Sequence, residues 1–217
     1  MEQATIRTIV FDMGGILVGL DGQRCVRNIR EVGCDEIAFY VEQHRVEDLF
    51  LEAERGEIGA AEFCDYVRRI VGKNVPDADI IRAWNSLLTG IPQEKVDTLL
   101  RLKAAGYRLL LLSNTNDMHW ARCQELMAEH GHTMQELFEH CYLSNEMHKV
   151  KPNDDIFLQL LAESHSEAAE TLFIDDSEAN CATASRLGIH AFCDPKGTQW
   201  MDFVETRLLN FSSNTEP

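Results

Sequence analysis

Six residues in four short segments carry side chains that could do chemistry here: Asp12, the pair Ser113-Asn114, Lys151, and the adjacent pair Asp175-Asp176. Each segment alone has an ordinary reading. Asp12 could be a turn residue, Ser113-Asn114 a helix N-cap, Lys151 a solvated lysine before Pro152, and the Asp pair a cap for the helix after it. Together they mean more, because three of the four directly follow short apolar runs that read as strands. A fold that gathers strand ends would bring the three carboxylates together. Carboxylates so placed repel one another unless a cation sits between them, so the set asks for a metal ion as well as the one lysine.

The elements that must position these residues are legible as alternating patterns. Ile6 to Phe11 is a short, β-branched, wholly apolar run that ends on Asp12-Met13-Gly14-Gly15. Such a run predicts a strand buried on both faces, hence a parallel sheet, and the two glycines mark a tight turn. Tyr107 to Leu112, Cys141 to Leu143, Thr171 to Ile174 and His190 to Phe192 read as further strands, with helical patterns between them. That alternation predicts βαβ units and an α/β fold: a doubly wound, mainly parallel, Rossmann-like sheet with helices on both faces. Ligands of such sheets sit at the carboxyl ends of the strands, where Asp12, Ser113 and Asp175-Asp176 fall. From Asp21 to Ile91 the texture is helical throughout, with stripes over Glu36 to Leu51, Gly59 to Ile70 and Asp77 to Leu88. The expected organisation is an α/β core of residues 1–18 and 92–209, an all-helical cap of residues 19–91, and a flexible polar tail of residues 210–217.

Composition narrows the class. The net charge of −16 argues against nucleic acid and anionic lipid as partners, since both are polyanions. It leaves room for an anionic small molecule if a metal ion and a lysine reverse the field locally. The seven cysteines are scattered and form no CxxC pair, which predicts structural thiols in a reducing compartment. No signal or membrane-spanning pattern is present, so the expected setting is cytoplasmic.

The ordered set resembles the four motifs of the haloacid dehalogenase-like hydrolase superfamily: IVFDMGGILV, LLLLSNTND, HKVKPNDDIF and TLFIDDSEAN. The resemblance covers essentially the whole chain, including a helical cap after the first motif. FDMGG, SNTND and FIDDS are similar to a branch with sugar-phosphate phosphatases of the α-D-glucose-1-phosphatase type. The resemblance implies a Mg²⁺-dependent phosphatase acting on a small phosphorylated metabolite through an aspartyl-phosphate on Asp12. By it, Mg²⁺ is held by Asp12, the backbone carbonyl of Gly14 and Asp176, with Asp175 a ligand directly or through water. Ser113 and the Asn114 N–H bind phosphoryl oxygens, and Lys151 neutralises charge and holds Asp12.

One position departs from the pattern. Most phosphatases of this superfamily carry an acid/base aspartate two residues after the nucleophile, where this chain has Gly14. That opens two rivals: a metal-free 2-haloacid dehalogenase, and a weak or inactive phosphate-binding or regulatory homologue. The Asp175-Asp176 pair favours a metal and so phosphate over the former. His119, His148 and the cap residue Arg45 are candidates to replace the acid. Trp84 and Trp120 read as core or cap-interface residues, and Trp200 is a further candidate to line a pocket. Glu52, Glu54 and Glu57 read as a solvated face of the cap. Cys25 and Cys34 read as inert thiols.

Overall fold

The computed structural model describes residues 5–42 and 47–210. A parallel sheet of five strands forms the centre: β1 (Thr8–Phe11), β4 (Arg108–Ser113), β5 (His140–Leu143), β6 (Thr171–Asp175) and β7 (His190–Cys193), in the spatial order β5-β4-β1-β6-β7. Each neighbouring pair is parallel. The chain winds outward from β1 to β4 and β5, then returns to lay β6 and β7 on the other side of β1. The reversal leaves β1 central, with a strand end on either side of Asp12.

The wholly apolar strands work because both faces are covered. Ile9 and Phe11 face one core layer with Leu99, Leu102, Leu126 and Trp200, while Val10 faces the other with Ile156, Phe157 and Leu160. This is the two-residue alternation of a strand, with apolar partners on either side. Phe11 packs edge-on against Trp200, ring centroids 5.2 Å apart. Trp200 is completely buried there, so it lines no pocket.

Among the described residues five helices form the insert: α1 (Gly22–Glu31), α2 (Asp35–Glu42), α3 (Glu47–Glu54), α4 (Ala60–Val71) and α5 (Asp77–Asn85). They enclose an apolar core of their own, including Val26, Ile29, Ile37, Phe63, Val67 and Trp84. The remaining helices belong to the sheet: α6 (Gln93–Ala104), α7 (Asp117–Ala128), α8 (Met134–Leu137), α9 (Ser144–Met147), α10 (Asp154–Glu163), α11 (Glu178–Arg186) and α12 (Trp200–Val204). Met118 of α7 joins the insert's core and so seams the two parts together.

Three expectations need correction. The insert is not all-helical: β3 (Leu88–Gly90) pairs antiparallel with β2 (Gly19–Leu20), clasping the two connections between insert and sheet. Strands this short show no periodicity to read. The helix expected to reach Leu88 ends at Asn85, where Arg24 binds the carbonyls of Ser86 and Leu88 at 2.6 Å each. The helix expected over Glu36 to Leu51 is α2 and α3, with residues 43–46 outside the described set. Arg45 lies there too, as does the expected tail beyond Asn210. No helix among the described residues is long and apolar enough to cross a membrane.

Candidate active site

Asp12 is the first residue past β1. Its N–H donates to the Ile174 carbonyl at 2.9 Å, carrying the β1–β6 ladder one step beyond the strand. Phe11 pairs with Leu111 on one side and Ile174 on the other, so Leu112 and Asp175 flank Asp12 at the same level. The common register of three strands thus converts residues 12, 112 and 175 into neighbours.

Lys151 closes the group. Its buried ammonium donates to Asp12 Oδ1 at 2.6 Å, Asp175 Oδ2 at 2.7 Å and the Leu112 carbonyl at 2.8 Å. All three donors of a lysine are used, which fixes the head group. Its backbone is held as firmly: the Asn114 side chain accepts from Lys151 N–H at 2.9 Å and donates to the Lys151 carbonyl at 3.0 Å. Asn114 therefore positions the lysine, a role its side chain did not announce in the sequence.

The two aspartates of the pair do different things. Asp175 is fully buried, and both its oxygens have donors: Ser177 N–H at 2.8 Å and the Asn180 amide at 2.9 Å on Oδ1, Lys151 on Oδ2. The Asp176 carboxylate lies instead against the loop after Asp12. A Cβ built on Gly15 would stand 2.4 Å from Asp176 Oδ2, and Gly15 has a φ of +78°. Only glycine leaves that space and tolerates that backbone.

The electrostatics are unbalanced. One ammonium faces the carboxylates of Asp12, Asp175 and Asp176. Burial, helped by Asp175 and Asp176 and opposed by Lys151, pushes the Asp12 carboxyl up to about 7. Burial and Asp175 likewise raise Asp176. Burial pulls Lys151 down, but Asp12 and Asp175 outweigh it and hold the ammonium above its ordinary range. The site as built favours a proton on Asp12 near neutrality, whereas a carboxylate nucleophile must be ionised. A hard cation among Asp12, the Gly14 carbonyl and Asp176 would remove that conflict. Among the described residues no three His, Cys, Asp or Glu side chains cage a metal. Mg²⁺ is commonly held by one or two carboxylates and completed by water and phosphate. The carboxylate cradled over Gly15 is the donor such an ion needs.

The loop after Asp12 is braced from below. The Lys95 ammonium, on α6, donates to the Ile16 carbonyl. Buried Asp194 accepts from the N–H groups of Gln199 and Trp200 at 2.7 and 2.9 Å. A Cβ on Gly197 would stand 1.8 Å from the Gly15 carbonyl, so this turn presses directly on the loop. Neither Lys95 nor Asp194 stood out in the sequence, since only the tertiary fold buries them.

The expected acid substitutes fare differently. His119 stacks on Trp84 of the insert, centroids 5.1 Å apart and planes 7° apart, with Nδ1 3.3 Å from the Asn116 amide. Burial pushes it down to about 4, so it is neutral and serves the insert–sheet seam. His148 Nδ1–H donates to the Arg55 carbonyl at 2.8 Å, clasping the same seam. Ser113 is buried, and its hydroxyl makes only a 3.4 Å contact with the Asn114 carbonyl. Trp120 packs at the margin of the sheet core, and burial pushes the Cys25 thiol up to about 11, in keeping with an unreactive thiol. The reading of Glu54 as solvated is corrected: it is partly buried, and burial raises its carboxyl while the charge of Lys151 lowers it.

Comparison with known proteins identifies the family. Residues 6–188 match the haloacid dehalogenase-like hydrolase family. A D-ribitol-5-phosphate phosphatase of Bacteroides thetaiotaomicron is 30% identical over 207 residues, covering 94% of this chain and 99% of that protein. A HAD family enzyme of the same organism, solved in complex with magnesium and inorganic phosphate, superposes with a TM-score of 0.86 at 39% identity, over 91% of this chain and 98% of that one. A HAD-like family hydrolase structure from Porphyromonas gingivalis gives 0.84 at 38% identity, over 95% and 98%.

Proposed function

The chain belongs to the haloacid dehalogenase-like hydrolases, and from that premise we propose that it is a Mg²⁺-dependent phosphatase of small sugar or sugar-alcohol phosphates. The observation that carries the reading is the Asp12–Lys151–Asp175 chain of hydrogen bonds, with the Asp176 carboxylate beside it over Gly15. Mg²⁺, held by Asp12, the Gly14 carbonyl and Asp176, supplies the positive charge that lets a carboxylate meet a phosphate dianion. Asp12 attacks phosphorus and forms an aspartyl-phosphate, which water then hydrolyses. Lys151 holds the attacking carboxylate and offsets charge developing on the phosphoryl group. Asp175 and the Asn114 side chain position Lys151. The Ser113 hydroxyl and Asn114 N–H bind phosphoryl oxygens. Residues 19–91 act as a cap over a core of residues 1–18 and 92–209, and the free thiols support a reducing, cytoplasmic setting.

The rival haloacid dehalogenase reading draws on Gly14 alone. It leaves three carboxylates facing one ammonium with no cation, whereas the phosphatase reading uses all of them. Two assays on purified protein separate the readings. With Mg²⁺, phosphate release from a panel of pentitol and hexose phosphates is expected, and chloride release from 2-chloropropionate is not. Chloride release with no phosphate release would reverse the assignment, and silence in both would favour a protein that binds phosphate without turnover.

A further inference from the structure

Gly14 is not a glycine that its surroundings impose. Its φ lies outside the left-handed region, and a Cβ there would make ordinary contact with the Leu20 side chain at 3.5 Å. The missing acid/base is therefore a chemical choice, and the group that does its work must come from elsewhere. The insert supplies a candidate carboxyl. Glu54 ends α3, is partly buried, and makes no hydrogen bond or ion pair with any described residue. A partly desolvated carboxyl without a partner is uncommon, since burial of such a group is normally compensated.

The end of α3 is pinned to the active-site side of the sheet. The Arg55 carbonyl, next in the chain, accepts from His148 Nδ1–H at 2.8 Å. A Cβ on Gly56 would stand 2.0 Å from the Asn145 carbonyl, so the turn after Glu54 rests directly on α9, and Gly56 adopts a φ of +66° to do so. His148 and Asn145 belong to the segment that runs into Lys151, the residue bound to Asp12. The charge of Lys151 is felt at Glu54, while burial holds its carboxyl above the usual range, as suits a group that must carry a proton before it gives one up.

Resting on the phosphatase reading, we propose that Glu54 is the catalytic acid and base that this chain uses in place of an aspartate at position 14. As the bond from Asp12 to phosphorus forms and the ester P–O bond breaks, the Glu54 proton passes to the leaving alkoxide oxygen, and the product leaves as an alcohol. The Glu54 carboxylate then takes a proton from the water that attacks phosphorus. Inorganic phosphate is released, the Asp12 carboxylate is regenerated, and Glu54 is protonated again. The dependence on seating α3 against α9 makes the site complete only with the insert docked.

The test is Glu54→Gln assayed with two leaving groups. An alkoxide needs the acid; p-nitrophenolate, a stable anion, does not. The variant is expected to lose about 10²–10⁴-fold in turnover of a pentitol phosphate. With p-nitrophenyl phosphate, rapid mixing should still show a stoichiometric burst of p-nitrophenolate, followed by slowed turnover because water activation is impaired. The burst also reports that the variant is folded and that Asp12 works, so it keeps the phosphatase reading separate from this one. Wild-type turnover of the pentitol phosphate by Glu54→Gln, or equal loss of the first step with both substrates, would overturn the proposal. Absence of phosphate release by the wild-type protein would instead overturn the phosphatase reading.

Discussion

At the residue scale, Asp12 is a carboxylate placed where ionisation is costly. Burial comes first, two neighbouring carboxylates add to it, and Lys151 only partly compensates. The sign of the consequence follows from linkage. A carboxyl raised to about 7 in the folded protein holds a proton that the unfolded chain has already released. Its contribution to stability is therefore present at pH below the usual carboxylate range and is lost as pH rises through about 7 in metal-free protein. A cation bound at the carboxylate works in the opposite direction, because it competes with that proton. Thermal unfolding at pH 5.5 and pH 8, each in EDTA and in Mg²⁺, should show a larger Mg²⁺-induced rise in Tm at pH 8. Saturation at 100 times Kd corresponds to about 2.7 kcal/mol of stabilisation. An equal rise at both values would place the ion away from Asp12. Asp12, Ser113, Lys151 and Asp175-Asp176 were legible in the sequence because each is a polar residue at the end of an apolar run or in an ordered motif. Glu54, Lys95 and Asp194 were not, because Glu54 becomes partly buried, and Lys95 and Asp194 fully so, only when segments distant in the chain pack together. A carboxyl on an amphipathic helix looks solvated until the element that covers it is known.

At the element scale, the strands were readable and the small devices at their ends were not. The five-stranded sheet follows from wholly apolar runs separated by helices, and each strand lies within two residues of its expected bounds. The β2–β3 clasp escaped notice because two or three residues carry no period. The two glycines after Asp12 looked alike in the sequence, but the structure separates them. Gly14 has ordinary room for a Cβ, whereas Gly15 is left-handed and opposes Asp176 Oδ2 at 2.4 Å. Gly15→Ala is therefore expected to cost about 1–2 kcal/mol through the backbone and to displace the Asp176 carboxylate. Its Mg²⁺ affinity, read by calorimetric titration, should fall at least tenfold, while Gly14→Ala should stay near wild type. Equal affinities for Gly15→Ala and wild type would mean that Asp176 holds no ion.

At the scale of the whole molecule, a chain of net charge −16 must attract an anionic substrate against its own field. The one ammonium that the described residues place at the site, that of Lys151, is spent on Asp12, Asp175 and the Leu112 carbonyl. A bound cation is therefore the pivot of the account, and Asp12 is the atom source of the chemistry. The winding of the sheet puts Asp12 at the centre, and the insert is docked on the sheet through the Trp84–His119 stack and the His148–Arg55 clasp. The most direct measurement is phosphate release from a pentitol phosphate by the wild-type protein and by Asp12→Asn, each in Mg²⁺ and in EDTA. Release by the wild-type protein in Mg²⁺ alone, with Asp12→Asn at background in both, is the expected result. Release that is undiminished in EDTA, or that survives Asp12→Asn, would contradict it.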